Sequence, residues 1–473
     1  MLQALLNVFR VAELRNRVLF TLGMLAVFRL GQWVPLPGVN QEELKRIVQS
    51  QSGDSLFSTV ASVVSIFAGG NLTQSTIFGL GVIPYISASI IFQLLMAVWP
   101  TMKKIQEEGP TGRQKIMAWT RYATIVVAVI QAVGYLQVSA SQGVIYAAWA
   151  GWPFWWIMAV TALVAGTVFL MWLGEQIDKH GIGNGVSMLI MAGILVQMPN
   201  AIGELLTLSP IRTFQVVTFI MGPPPQGFSP SIGILGVLLM IGGFVVVVGG
   251  SVLMTVAQRR IPVQQAKHTR GRKVFGGERS YLPLRLNHSG VMPVIFATSL
   301  MTFPVVLLGT LVSQIEASLP NSGFSTFMSW LTGQLTYGEF LFVAGEIVLI
   351  YFFSYFWITV QFNPEDMSKQ LRDHGSFIPG LRPGPRTAEY LETVMERITF
   401  VGAAFLAVIA VAPQVVALRL GVPQNVAAFL GGTGLLIVVS VVLDFMQRIE
   451  ANLLMRNYAG FLSGDENPRS RAA

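Results

Sequence analysis

The chain has 473 residues, of which 53% are hydrophobic and only 11% are charged, and its mean hydropathy is +0.60. An ordinary globular domain has about a quarter of its residues charged, so this composition excludes one large soluble globule and a disordered chain. The absence of cysteine from the sequence excludes a disulfide framework and thiolate metal sites. A multi-pass membrane protein remains, with room for about ten to twelve spans.

Ten apolar runs are long enough, or nearly long enough, to cross a bilayer as helices. They cover approximately residues 18–34, 77–99, 122–138, 153–173, 186–202, 232–256, 291–312, 340–360, 398–416 and 427–445. Helices are expected because backbone polar groups in lipid must be satisfied within the segment. Five runs precede residue 203 and five follow residue 231. Two halves with an odd number of spans have opposite orientation, which predicts an inverted repeat with a site between the halves.

The division into five spans and five spans predicts an N-terminal half (1–202), an external connection (203–231), a second half (232–456) and a cytoplasmic tail (457–473).

The distribution of lysine and arginine indicates how the chain is oriented in the membrane. If the N-terminus lies in the cytoplasm, most of the 31 lysines and arginines fall in inner segments. The outer segments then hold only Lys45, Arg46, Arg212 and Arg419. Cytoplasmic segments of membrane proteins carry an excess of Lys and Arg, so both chain ends are predicted to be cytoplasmic.

The first outer loop contains a second apolar stretch, residues 56–68, which is too short to cross a membrane. It breaks at Gly69, Gly70 and Asn71 and then leads into the second span. The pattern predicts a re-entrant half-helix, a glycine hinge and a full span. Irregular backbone at membrane depth is tolerated only inside protein or along a water-filled cavity, so the break indicates a cavity. The alternative is a helix lying at the membrane interface.

Two cytoplasmic loops, 257–290 and 361–397, are long, basic and rich in Gly and Pro. Such stretches interrupt structure rather than continue a helix. We interpret them as a docking platform for a large cytoplasmic partner that offers acidic surface. The alternative is that their charge serves only to orient the chain.

The motifs of common enzymes are absent from the sequence. It holds four histidines but no HExxH pattern, no G-x-S-x-G elbow and no phosphate-binding G-x-x-x-x-G-K-[ST] loop. The glycine-rich run at 181–185 lies between two spans with no strand before it, which argues against a dinucleotide site. We therefore predict no enzyme activity, no cofactor and no metal site. An ion-coupled transporter needs an acidic group inside the membrane, and Glu346 in the eighth span is the candidate.

Two aliphatic pairs stand next to backbone breaks. Val82 and Ile86 follow the glycine hinge, and Val186 and Ile190 follow Gly185. Each pair has a spacing of four residues and so lies on one helix face. Such pairs occur in any membrane helix. They acquire a function only if several helices bring them to one constriction, where an aliphatic ring gates by dewetting.

Long blocks in the sequence resemble the bacterial SecY family, the channel subunits of the Sec protein-translocation complex. The blocks are FRLGQWVPLPGV (28–39), SIFAGGNLTQSTIFGLGVIPYISASIIFQLL (65–95), FLMWLGEQIDKHGIGNGVSMLI (169–190), AQRRIPVQQAKHTRGRKVF (257–275), YLPLRLNHSGVMPVIFATSL (281–300), GSFIPGLRPGPRTAEYLETVMERITFVGA (375–403) and FLGGTGLLIVVSVVLDFM (429–446). They occur in the family's order over nearly the whole chain.

The resemblance implies an all-α membrane protein with ten helices in two inverted five-helix halves around an hourglass pore. A re-entrant plug near residues 59–73 would close the outer side. Its matched residues are Ile66, Phe67, Gly69, Gly70 and Asn71. A ring of aliphatic side chains would form the constriction. Its matched residues are Val82, Ile86, Val186, Ile190, Ile295 and Ile437.

The resemblance also implies a lateral gate, with Ser87, Gln93 and Asn287 as its polar residues. The alternative is that these side chains only join helices. The family's functional arginines match Arg259, Arg260 and Arg382.

The implied partners are the SecE and SecG subunits, the SecA motor, the ribosome with its rRNA, signal peptides and nascent chains, and membrane lipids. The implied location is the bacterial inner membrane. The expected function is a protein-conducting channel, and the alternative is an ion-coupled secondary transporter with inverted repeats.

Overall fold

The computed structural model describes residues 11–44, 75–141, 143–208, 234–265, 268–270, 273–275, 279–288, 290–301, 308, 312, 323–335, 339–420 and 433–462. Every one of the ten apolar runs contains helical residues within these ranges. The helices are α1 (Ala12–Gly31), α2 (Ile83–Val98), α3 (Pro100–Glu107), α4 (Pro110–Ser141), α5 (Ala147–Ala150), α6 (Pro153–His180), α7 (Gly185–Leu208), α8 (Ile234–Val256), α9 (Met292–Met301), α10 (Gly323–Gln334), α11 (Phe340–Gln361), α12 (Pro364–Asp373), α13 (Pro385–Leu420) and α14 (Thr433–Leu462).

Six of the described helices are long and apolar enough to cross a membrane: α4, α6, α7, α8, α11 and α13. The described parts of α2 and α9 are apolar but shorter. Helix α1 has 20 residues and carries Glu13 and Arg29 in its first and last turns. The structure therefore supports several membrane spans, and the count of ten remains a prediction.

The second predicted span begins later than expected. Residues 77–82 form turns, and the helix α2 starts at Ile83. Pro84 lies in the first turn, where its missing N–H costs no hydrogen bond. Gly81 has a φ of 56°, a left-handed conformation that favours glycine. A residue in this conformation interrupts an α-helix, so the predicted helix cannot continue from residue 77 through residue 81. Val82 is thus the N-cap residue, and its carbonyl accepts the first hydrogen bond, from Ile86 N at 3.1 Å.

The prediction of an all-α chain is wrong for the two loops predicted to be cytoplasmic, 257–290 and 361–397, because both contribute strands to one β-sheet. Strands β1 (Gln258–Gln265) and β4 (Arg279–Arg285) pair antiparallel, and β5 (Ser376–Phe377) pairs with the other edge of β1. Strands β2 (His268–Arg270) and β3 (Lys273–Phe275) pair separately. The physical reason is alternation along β1: Ile261 and Val263 are buried, whereas Arg260 before them and Pro262 between them are exposed.

The second loop, 361–397, is also more regular than its Gly and Pro content predicted. It holds α12 and the first turns of α13, and each helix begins with a proline. Proline is favoured at the first helical position because its φ is already helical. The Asn363 side chain caps α12 by accepting a hydrogen bond from Glu365 N at 3.1 Å.

The main apolar core lies between the two halves of the chain. It draws buried residues from α2, α6 and α7 and from α8, α9, α11, α13 and α14. Helix α7 packs on α6 and also on α14, which joins the halves. A second core surrounds the fully buried Trp155 on one side of the first half, and a third lies under the β-sheet.

Candidate functional site

The six aliphatic residues predicted to form a ring lie in the same apolar core. Five of them are buried, and Val186 is partly buried and packs against that core. They come from α2 and its N-cap, α7, α9 and α14. The structure therefore brings the predicted residues of both halves into one apolar cluster. Branched aliphatic groups that meet from several helices can close a narrow path without offering any polar group to an ion.

A short turn fixes where α7 begins, and with it the position of Val186. Gly185 N donates a hydrogen bond to Asp178 Oδ1 at 2.7 Å, and Ser187 N donates to Asn184 Oδ1 at 3.1 Å. A Cβ on Gly185 would overlap the carbonyl oxygen of Gly174 in α6. The glycine-rich run at 181–185 is therefore a tight α6–α7 connection. Sequence analysis noted this run but did not identify its role as a helix cap, although Asn before a helix is a capping signal.

The predicted gate residues lie on two different elements. Ser87 and Gln93 are partly buried on α2. Gln93 Nε2 donates to Ser89 Oγ at 3.1 Å, and its Oε1 is buried and accepts no hydrogen bond within the described part of the chain.

Asn287 precedes α9 and donates from Nδ2 to the Gly290 carbonyl at 2.8 Å, which closes the turn into that helix. Asn287 also lines a small cavity between α8, α13 and α14.

The three predicted docking arginines are exposed on a single folded unit. The unit consists of β1, β4, β5, α12 and the first turns of α13, which share the core under the sheet. We call it the docking module after the predicted role of its arginines. Arg259 and Arg260 lie on β1 opposite Leu284 and Pro283. The two loops were predicted to form one docking platform, but their shared sheet and core were not predicted. The alternation of Ile261 with Val263 and of Leu282 with Leu284 was the available signal for strands.

Arg382 lies in the turn between β5 and α13, and two side chains hold the backbone of that turn. Ser368 Oγ of α12 donates to the Gly384 carbonyl at 2.8 Å, and Thr387 Oγ1 donates to the Arg382 carbonyl at 3.0 Å. Both donors are buried, whereas the Arg382 side chain is exposed. The turn thus presents a positive charge on a fixed backbone. Sequence analysis did not identify these two positioning hydroxyls.

His288 stands between the docking module and α9. Its ring makes an edge contact with Phe362, the residue after α11, at 6.3 Å between centroids. Burial lowers the pKa of His288, and the nearby Arg285 lowers it further. The neutral imidazole is therefore favoured in this joint.

The remaining predictions concern the plug, the acidic group Glu346 and metal binding. The plug residues Ile66, Phe67, Gly69, Gly70 and Asn71 lie outside the described residues. Glu346, the candidate acidic group, is fully buried in α11. Within the described ranges, no group of three or more His, Asp and Glu side chains is arranged to hold a metal ion.

These features define a multi-pass helical membrane protein with an apolar centre between two halves and a folded basic module outside them. The family model for SecY matches residues 76–446. A SecY protein translocase subunit of Chlamydia trachomatis is 37% identical over 98% of this chain and 99% of its own length. The corresponding subunit of Escherichia coli is 37% identical over 96% of this chain and 94% of its own. The chain belongs to the SecY family, which confirms the resemblance found in the sequence blocks.

Solved structures are similar in fold. One described as "The structure of a protein conducting channel" has a TM-score of 0.61 at 18% identity and covers 93% of each chain. Sec61 in a canine ribosome–channel complex has a TM-score of 0.59 at 17% identity, again over 93% of each chain. At these identities the similarity establishes the fold.

Proposed function

We propose that the chain is the central protein-conducting channel of a Sec translocase. It passes unfolded secretory chains across the membrane and releases hydrophobic segments sideways into the bilayer. The observation that carries this proposal is the convergence of six aliphatic residues from both halves in one apolar core, in a chain of the SecY family. The chain itself catalyses no reaction, and its partners supply the energy.

The ring of Val82, Ile86, Val186, Ile190, Ile295 and Ile437 is the constriction. Its side chains carry no polar group, so a passing chain of any sequence meets a surface that fits around it and binds none of its side chains tightly. When no chain is present, an aliphatic constriction excludes water and so resists ion flow. The plug near residues 59–73 adds a second closure on the outer side.

Ser87, Gln93 and Asn287 set the threshold for lateral release. A segment enters lipid when its transfer from the channel to the bilayer is favourable. Polar groups along the exit favour polar segments inside the channel, so they raise the hydrophobicity that a segment needs to leave. Gln93 Oε1 supports this role: it is buried, no described residue donates to it, and a buried acceptor in that state gains from any donor that arrives.

The docking module is the contact surface for the SecA motor and the ribosome. Its exposed arginines favour acidic protein surface and the phosphates of ribosomal RNA. SecE and SecG complete the complex. The ten spans, the inverted halves and the location in the bacterial inner membrane with both ends cytoplasmic belong to the same proposal. The distribution of basic residues supports the span count and the orientation, and the similarity to bacterial SecY subunits supports the location.

Reconstitution tests the function directly. The purified chain with SecE and SecG homologues is placed in vesicles with SecA, ATP and a secretory precursor, and protection of the precursor from protease is measured. We expect protected precursor that depends on ATP. A well-assembled complex that protects no precursor would contradict the proposal.

Arg382 offers a separate test of the docking surface. We expect Arg382→Glu to cripple SecA-driven translocation while membrane insertion and complex assembly stay intact. Arg372→Glu is the matched control, because Arg372 is also exposed in the docking module but lies at the end of α12. Equal translocation by Arg382→Glu and the native chain would remove Arg382 from the docking surface.

A further inference from the structure

The segment before α2, residues 75–82, is held by the backbone of the chain that follows α1. We call it the anchor segment. Leu36 N donates to the Ser75 carbonyl at 2.8 Å, and Ile77 N donates to the Val34 carbonyl at 3.1 Å. The Ser75 and Tyr135 hydroxyls are 2.5 Å apart, which attaches the segment to α4 as well. Ser75 has a φ of 41°, a conformation that non-glycine residues adopt only when their surroundings enforce it.

Two glycines let neighbouring helices approach the anchor segment more closely than any other residue would allow. A Cβ on Gly166 of α6 would overlap the carbonyl oxygen of Ile77. A Cβ on Gly31, the last residue of α1, would overlap the ring of Phe78. That ring is stacked between Phe28 and Phe169, with centroid distances of 6.5 and 5.9 Å. The anchor segment is therefore in close contact with both α1 and α6.

The last residue of the anchor segment is Val82, a member of the proposed ring. Val82 is buried, and its carbonyl begins the hydrogen bonding of α2, which carries Ile86 four residues later. A shift of Ile77 or Phe78 is thus transmitted over a few residues to two ring positions. Closely packed interiors transmit such strain because they contain little empty space.

We propose that Gly166 and Gly31 are positioning residues for the channel seal: by allowing α6 and α1 to contact the anchor segment, they fix Val82 and Ile86 in the constriction. This inference rests on the proposed function, because it takes these two residues as members of the ring. It predicts that an added methyl group at either glycine opens the seal at Val82.

The absence of native cysteine makes a specific readout possible. The starting variant is Val82→Cys, to which the other substitutions are added. The complete complex with its partner subunits is reconstituted in vesicles, and the rate at which a membrane-impermeant maleimide labels the cysteine is measured. Adding Gly166→Ala is expected to raise the labelling rate by about tenfold, equivalent to about 1.4 kcal/mol in favour of the open arrangement. Ion leak through the same vesicles is expected to rise in parallel.

Three controls separate positioning from general loss of stability. Gly23→Ala in α1 and Gly134→Ala in α4 add the same methyl group where no atom of a described residue lies within 4 Å, and both are expected to leave labelling unchanged. Leu391→Cys reports on the fully buried core of the docking module, and its labelling is expected to be unaffected by Gly166→Ala. Increased labelling at both sites would mean general unfolding and would overturn the positioning role.

A compensating pair covers the case in which Gly166→Ala does not assemble. Gly31→Ala is expected to increase labelling of Val82→Cys, and adding Phe78→Leu is expected to reverse that increase because it removes the ring that the methyl group overlaps. Native labelling in Gly31→Ala, or no reversal by Phe78→Leu, would overturn the inference. Precursor translocation by the native complex is measured in parallel. Failure there contradicts the proposed function, whereas normal translocation with unchanged labelling contradicts only the inference.

Discussion

Gln264 of β1 pairs with Phe377 of β5, and this register joins the two basic loops, 257–290 and 361–397, at the edge of one sheet. Because the loops also share a core, the exposed Arg259, Arg260 and Arg382 belong to one folded module. A partner that contacts both loops therefore meets a preformed surface. Preformed surfaces bind with a smaller loss of conformational entropy than loops that must become ordered.

The two buried hydroxyls under the Arg382 turn give the first prediction. Ser368→Ala and Thr387→Val each remove one hydrogen bond to the backbone of that turn, worth about 1 kcal/mol, so each is expected to weaken SecA-driven translocation by about fivefold. The measurement is the initial rate of precursor protection at limiting SecA. Thr393→Val is the control, since Thr393 is exposed on α13 and its hydroxyl donates to the Glu389 carbonyl within the same helix. Equal rates in all three variants would contradict the role of the hydroxyls.

The ion pair between α4 and α6 gives the second prediction. Arg121 Nε and Nη2 donate to the two oxygens of Glu175 at 2.6 and 2.7 Å, and the Glu175 side chain is only 16% exposed. Arg121→Gln leaves that carboxylate without its partner. We expect Arg121→Gln to lower the free energy of unfolding by about 1–3 kcal/mol. This loss is smaller than for a fully buried ion pair because Arg121 is partly solvated.

Thermal unfolding of the purified complex in detergent measures this loss. Arg448→Gln is the control because its pair with Asp444, at 2.8 Å, is about half exposed on both sides and is expected to contribute at most about 1 kcal/mol. The account is contradicted if Arg448→Gln is as destabilising as Arg121→Gln.

His288 gives a prediction about pH. Its pKa is lowered in the folded chain by burial and by Arg285, so folding favours the neutral ring. The stability that depends on this neutral ring is present above the unfolded pKa of about 6.5 and is lost as the pH falls below it. We therefore expect the unfolding temperature to fall more steeply between pH 7.5 and pH 5.5 in the native chain than in His288→Gln.

The exposed His374 supplies the control for this measurement. His374→Gln is expected to keep the native slope of unfolding temperature against pH. A slope that stays native in His288→Gln would show that other groups cause the acid sensitivity.

Glu346 distinguishes the channel from an ion-coupled transporter. A transporter that uses this buried carboxylate for coupling loses transport when it is neutralised. A channel driven by its partners does not need the charge. The Glu346→Gln complex is therefore expected to translocate precursor at no less than about half the native rate, which corresponds to a change of at most about 0.5 kcal/mol in activation free energy. Loss of translocation in an assembled Glu346→Gln complex would contradict a passive channel.

Hydropathy predicts which segments are helical, because it reports how favourably a segment transfers to lipid. The apolar runs that it identifies contain Ile86, Ile190 and Ile437, and in the structure these three residues lie in one apolar core. Local patterns do not report which distant segments pair, so the register of Gln264 with Phe377 was not predictable from either loop alone. The helix start at Ile83 was missed because an apolar turn and an apolar helix have the same hydropathy. The contact of Gly166 with Ile77 depends on tertiary packing.

In the proposed channel, a translocating chain passes through the aliphatic ring. The most direct measurement arrests a precursor with a single cysteine inside the complex and tests disulfide formation with single cysteines placed in the channel. Ile190→Cys in the core and Val246→Cys on the exposed face of α8 are the compared positions. The account predicts strong cross-linking at Ile190→Cys and background levels at Val246→Cys. Cross-linking at Val246→Cys alone, with the precursor arrested, would contradict it.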